Sequence, residues 1–310
     1  NTYEVLYNLG VANYNLDRLD EAQNALRLAT VLAPDKPETF YRLGLVASAR
    51  NDSETALGLW QQALRLRESY PEVRFLMAEE LYKGRHFTSA LPFYERALAE
   101  DPSKLAYHIR LGVAHFRLQH YVQARAVFEK AIERFHDNAT LYYLVGYSAR
   151  AAGDYDDALV AFKRSLALEA DNSEVIANVG FIASERGQDG EAERLLRRAI
   201  VLDPKNYPAH YDLGHLLVRE KKYEEAIAVL ERGAGLSKLD PGVHYQLFTA
   251  YSRLKRKSDA DRELALFKQL EEARKQREGL KPAGAMTKDA PAPPELPASI
   301  SGGADKRPPQ

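Results

Sequence analysis

Between Leu105 and His136 two short amphipathic runs follow one another, separated by a polar break. Leu-Ala-Tyr-His-Ile-Arg-Leu-Gly-Val-Ala-His-Phe comes first, and Tyr-Val-Gln-Ala-Arg-Ala-Val-Phe-Glu-Lys-Ala-Ile comes second. Ile109, Leu111 and Phe116 in the first run, and Val127, Phe128 and Ile132 in the second, recur at helical spacing. That periodicity predicts two helices joined by a turn. A step of 34 residues in either direction brings the same pattern back, as expected of a repeat array.

With Leu105 as position 1 of its unit, position 8 falls at Gly10, Gly44, Ala78, Gly112, Gly146, Gly180 and Gly214, and at Phe248 in the last unit. Position 20 is Ala22, Ala56, Ala90, Ala124, Ala158, Ala192, Ala226 and Ala260. Position 24 is large throughout: Leu26, Trp60, Tyr94, Phe128, Phe162, Leu196, Leu230 and Leu264. Eight units begin near residues 3, 37, 71, 105, 139, 173, 207 and 241, with no insertion or deletion.

Each unit reads as a first helix over positions 1–14, a turn, and a second helix over positions 18–31. Small residues at positions 8 and 20 let the two axes approach to about 8–10 Å. Proline at position 32 (Pro34, Pro102, Pro204) ends the second helix, having no amide proton to continue it. The last unit puts Phe248 and Phe267 where small residues stand elsewhere, and its second helix is predicted to run on from Ser258 to Glu278 as a polar cap. From 281 to 310 the chain turns to Pro, Ala, Gly and Ser, which reads as a disordered tail or linker.

This code resembles the tetratricopeptide repeat family and covers about nine-tenths of the chain. The resemblance implies an all-α fold: a right-handed superhelical α-α solenoid of helix-turn-helix hairpins over residues 1–280. The pentatricopeptide pattern has a 35-residue period and RNA as ligand; the unbroken 34-residue phase and the absence of excess positive charge argue against it.

Charge is balanced, with 43 basic against 44 acidic residues, so nothing favours nucleic acid or an anionic membrane. There are no cysteines, which excludes disulfide and thiolate chemistry and leaves the compartment open: cytoplasmic and periplasmic or secreted locations both fit. No apolar run approaches the roughly 18–20 residues of a membrane span. The chain begins at Asn1, without Met and almost inside the first unit, and reads as a fragment or processed product.

No catalytic or cofactor motif is present, and the reading is of a non-enzyme without cofactor or metal. Glycines fall at position 8 or in turns, not in a phosphate-binding loop. His108, His210 and His244 share position 4, where the family packs an aromatic, and His115 at position 11 is also read as inward; His215 alone is expected at the ligand-facing surface. Glu79-Glu80 and Glu224-Glu225 read as solvated helix charges. Asn51-Asp-Ser and Asn138-Ala-Thr match the glycosylation sequon, a motif short enough to arise by chance.

In the family the first helix lines a concave groove, with positions 2, 5, 6, 9, 12 and 13 pointing inward. Position 5 here is Tyr7, Tyr41, Phe75, Ile109, Tyr143, Ala177, Tyr211 and Tyr245, aromatic in six of eight units. The resemblance therefore assigns a peptide-binding groove to Tyr41, Phe75, Tyr82, Lys83, Arg110, Phe116, Arg117, Tyr143, Tyr147 and Tyr211. Tyrosine offers a large contact area at low rotamer cost, and Lys83, Arg110 and Arg117 suit a ligand with apolar and acidic side chains. The alternative is that position-5 aromatics simply pack on neighbouring first helices. The chaperone-tail clamp needs Lys at position 5 and Asn at position 9; neither occurs, although Arg42 and Arg110 occupy position 6. An asparagine ladder of the sugar-transferase kind reduces to Asn8 and Asn178.

The expected function is a protein–protein interaction scaffold that binds extended peptide segments. Two alternatives stay open: the substrate-recruiting part of a larger enzyme, such as a glycosyltransferase or kinase, or an assembly factor of a cell-envelope complex. The partner and the oligomeric state are not encoded in any motif.

Overall fold

A computed structural model describes residues 2–237 and 239–279, and among them every regular element is an α-helix. The tail expected over 281–310 lies outside the described residues. The helices are α1 (Thr2–Asn15), α2 (Leu19–Leu32), α3 (Pro37–Ala49), α4 (Ser53–Leu66), α5 (Pro71–Lys83), α6 (Phe87–Glu100), α7 (Leu105–Arg117) and α8 (Tyr121–Ile132). They continue as α9 (Ala139–Ala152), α10 (Tyr155–Leu168), α11 (Ser173–Glu185), α12 (Asp189–Leu202), α13 (Tyr207–Arg219), α14 (Tyr223–Leu236), α15 (Pro241–Arg253) and α16 (Lys257–Gly279). Odd-numbered helices are the first helices of their units and even-numbered ones the second. The fold is an α-α solenoid of such hairpins, in two compact units that divide between residues 131 and 132.

Position 8 has a sharper role than closeness of axes. A Cβ added at Gly112 would lie 2.3 Å from Cε1 of Phe128, and one at Gly44 would lie 2.2 Å from Nε1 of Trp60. The residue missing at position 8 is thus replaced by the large side chain of position 24. Ala22, Ala56, Ala90 and Ala124 are fully buried beside it.

The turn between helices carries a constraint that composition hid. Position 15 is Asp17, Asn51, Arg85, Gln119, Gly153, Gly187, Lys221 and Lys255, and all eight have positive φ, between 59° and 90°. The left-handed residue lets the next amide fold back on the first helix, as His120 N does on His115 O at 3.0 Å. Only two of the eight are glycine.

Six second helices stop at position 30, as Glu100 and Leu202 do two residues ahead of Pro102 and Pro204, while α8 ends two residues earlier at Ile132 and α16 runs on. Pro37, Pro71 and Pro241 instead open first helices, where a missing amide proton costs nothing. Helix α16 runs from Lys257 to Gly279, one residue beyond its predicted bounds at either end.

Candidate functional site

First helices also meet one another, α1 on α3 in the first unit and α11 on α13 and α13 on α15 in the second. Their inner side chains are therefore shared between neighbouring hairpins.

In the first unit, Tyr41 lies half-buried with its ring centroid 5.6 Å from that of Tyr70, and burial raises the pKa of both phenols. The Arg42 guanidinium sits 5.2 Å from the Tyr41 ring, and its Nε donates to the hydroxyl of Tyr7 at 3.4 Å. Phe75 stacks on Tyr107 at 4.6 Å and meets the edge of Tyr94 at 5.7 Å. Position 5 in this unit is thus largely committed to neighbouring first helices, as the packing alternative expects.

Two rungs tie α5 to α7. Arg110 Nε lies 3.3 Å from Glu79 Oε1, which also accepts from the Tyr94 hydroxyl at 2.5 Å. Burial raises the Glu79 pKa, while Arg110 and the Tyr94 hydrogen bond oppose that shift. In the second rung Arg117 Nε donates to the Tyr82 hydroxyl at 3.1 Å. Lys83 is exposed, with Nζ 3.0 Å from Asn51 Oδ1 and 3.8 Å from Glu80 Oε1.

Three expectations need correction here. Glu79 and Glu80 are not solvated helix charges. Glu80 is buried and accepts from Ser48 Oγ at 2.7 Å and from Ser53 Oγ, clasping α5 to the hairpin before it. Phe116 is not a groove contact: it is wholly buried against Tyr121, at a ring separation of 5.0 Å. Arg110 is no free cation, because Glu79 neutralises it.

The second unit buries Tyr143 and Tyr147, which corrects their assignment as open contacts. Tyr143 packs on Tyr147 at 5.7 Å and on Phe162 at 6.3 Å. Tyr147 is covered by Arg150, whose guanidinium lies 4.9 Å from its ring and 4.6 Å from that of Phe181. Tyr211 stays half-buried, stacked 6.5 Å from His215, and His215 is exposed.

Sequence reasoning missed Arg150 and Asp212. Burial pushes the Asp212 carboxyl up to about 7; Arg150 pulls it back and Glu185 adds to the rise. Both residues stand at positions 12 and 6 of the repeat, where aromatic residues carry the stronger sequence signal. The structural histidines behave as read: His108 and His210 reach the carbonyls of Pro102 and Pro204 at 3.0 Å, and His244 contacts Glu263 at 2.7 Å. Among the described residues no group of three or more His, Asp or Glu could hold a metal ion, and no helix is long and apolar enough to cross a membrane.

Family models described as tetratricopeptide repeat match residues 3–36, 41–104, 75–139, 109–174, 149–213 and 185–245. The chain belongs to the tetratricopeptide repeat family. Among curated proteins it is similar to the type IV pilus assembly protein PilF of Pseudomonas aeruginosa, at 32% identity over 111 residues. That match spans 35% of this chain and 44% of PilF, less than half its length. Among solved structures, a tetratricopeptide repeat protein from Parabacteroides merdae aligns over 80% of this chain and 98% of its own, at TM-score 0.59 and 15% identity. The APC/C hetero-tetramer Cut9–Hcn1 aligns over 79% of this chain and 48% of its own, at TM-score 0.55 and 17% identity. MamA aligns over 56% and 94% at TM-score 0.50 and 18% identity. At these identities the structures share the fold.

Proposed function

We propose that this tetratricopeptide repeat chain is a non-enzymatic scaffold that holds extended peptide segments of partner proteins along its first helices. The observation that carries this reading is the pair Lys83 and Arg117. Arg117 is engaged by a neutral phenol, so its charge is not cancelled there, and Lys83 stands exposed beside the half-buried Tyr82. A ligand carboxylate near an aromatic or aliphatic side chain suits that surface. Preformed hairpins hold these groups in place before a ligand arrives, which lowers the ordering cost of binding.

The test compares native partners recovered on immobilised wild type with those on Lys83→Ala/Arg117→Ala, both chains showing the same helical circular dichroism. Loss of partners in the variant, with salt-sensitive recovery on wild type, supports the reading; identical recovery overturns the assigned surface. The likeness to PilF favours a second reading, in which the bound partner belongs to a cell-envelope assembly. Identification of the recovered partners separates it from a general scaffold.

A further inference from the structure

Two first helices carry arginine at position 6, and their neighbours treat the two charges differently. Arg110 of α7 is closed by a carboxylate at position 9 of the first helix before it, with Glu79 Oε1 3.3 Å from its Nε. The same oxygen accepts from the Tyr94 hydroxyl at 2.5 Å, so an arginine and a phenol grip one carboxylate. The pair is well covered, with side-chain exposures of 11% and 20%.

Arg42 of α3 stands in the same register, but position 9 of the helix before it is Val11. Among the described residues Arg42 makes no ion pair with a carboxylate. It is half-buried, where an uncancelled charge is costly. What surrounds it is phenolic. Its Nε donates to the Tyr7 hydroxyl at 3.4 Å, and its guanidinium lies 5.2 Å from the Tyr41 ring. Tyr14 is near enough that Arg42 pulls its pKa down against the rise caused by burial. Asp17 acts on Tyr14 and Glu72 on Tyr41, but neither pairs with Arg42.

This cradle is rich in hydrogen-bond donors. A guanidinium has five N–H bonds, and Arg42 commits one of them to Tyr7. Tyr7 accepts that bond, which leaves its own hydroxyl hydrogen to give. The Tyr14 hydroxyl has no hydrogen bond among the described residues, and burial keeps it protonated beyond the ordinary phenol range. The group is one carboxylate short of the arrangement at Arg110. A phosphate monoester would bring nearly two charges to a single cation, whereas a carboxylate brings one.

We propose that Arg42, with the hydroxyls of Tyr7 and Tyr14, seats one glutamate or aspartate side chain of a bound peptide segment, supplying the carboxylate that Glu79 supplies to Arg110. This rests on the reading that the chain holds extended segments along its first helices. It adds an acidic residue of the partner, held at a pair of hairpins other than the one that carries Lys83 and Arg117.

The probe is the acetylated, amidated peptide Ala-Phe-Glu-Phe-Ala, whose side chain offers its only carboxylate. It is titrated into the isotopically labelled intact chain, and the Nε–Hε resonance of Arg42, assigned with Arg42→Lys, is followed by NMR. A saturable shift is expected, at least tenfold weaker for Ala-Phe-Gln-Phe-Ala. It should vanish in Val11→Glu, which installs an internal carboxylate in the register of Glu79. If Val11→Glu lowers the thermal midpoint, Tyr7→Phe/Tyr14→Phe replaces it; this variant keeps the ring shapes and should weaken binding at least fivefold. No saturable shift, equal response to the two peptides, or tighter binding of the phosphoserine counterpart overturns the proposal. The Lys83→Ala/Arg117→Ala chain is titrated in parallel and should keep the Arg42 shift. Partner loss in that variant, with no shift at Arg42 in wild type, overturns this seat alone.

Discussion

Arg117 reaches back 35 residues to donate to the hydroxyl of Tyr82, so a residue of one hairpin completes the surface of the hairpin before it. Arg42 with Tyr7, and Arg219 with Ser184, repeat that reach at the same separation, at 3.4 and 3.1 Å. A double-mutant cycle with Tyr82→Phe and Arg117→Met tests the rung. Its coupling should be about 1 kcal/mol, below the roughly 1.5–3 kcal/mol of hydrogen bonds to charged groups, because Arg117 and Tyr82 keep some solvent contact. Additive effects in urea unfolding would remove the rung as a stabilising contact.

Gly112→Ala should destabilise more than Gly180→Ala. The added Cβ at Gly112 meets the rigid ring of Phe128 at 2.3 Å, whereas at Gly180 it meets Leu196 Cγ at 2.9 Å, on a side chain that can rotate away. Overpacking of this kind costs roughly 1–3 kcal/mol. Phe128→Leu should recover part of the Gly112→Ala loss, since a leucine at that position can rotate away from the added methyl as Leu196 can beneath Gly180. Chemical denaturation of the three variants reads the order directly.

Gln119→Gly should stabilise the protein. Gln119 holds φ at 62°, which glycine adopts without a Cβ penalty. A gain of about 0.5–1 kcal/mol is expected, reduced by the greater freedom glycine gives the unfolded chain. The reverse change, Gly153→Gln at φ 90°, should lower the thermal midpoint. A fall in both variants would contradict a turn set by backbone conformation.

Asp212 gives a pH dependence of definite sign. Its folded-state pKa stands near 7, above the ordinary 3.8, so the native chain holds this proton more tightly than the unfolded chain. The associated stability is complete below about pH 4 and is lost as pH rises toward 7. Asp212→Asn should therefore melt several degrees above wild type at pH 8, and the gap should close on acidification to about pH 4. A constant offset across that window would place the titration elsewhere.

Much of the hairpin was legible because its rules are local. Gly112, Ala124 and Phe128 lie within 17 residues of one another, and their sizes must balance wherever two helices cross closely. The left-handed turn was less visible: six of its eight residues are side chains that accept positive φ under the pull of the flanking helices. The candidate surface was only partly legible. Lys83 is exposed, and Arg117 meets the neutral phenol of Tyr82 across two hairpins. Phe116 does not, because aromatic area at an inward position is worth more when covered, and Tyr121 covers it. Glu80 and Arg150 show the same limit from the polar side. Their partners, Ser48 and Phe181, lie 32 and 31 residues away on adjacent hairpins, and no count along one helix brings them together.

The turn at position 15 also sets an order of events. Its geometry is complete within one hairpin, closing His120 N onto His115 O across five residues, and needs no neighbour to define it. Each pair of helices can register itself while the next is still being synthesised, and stacking then proceeds by adding finished pieces to a growing edge.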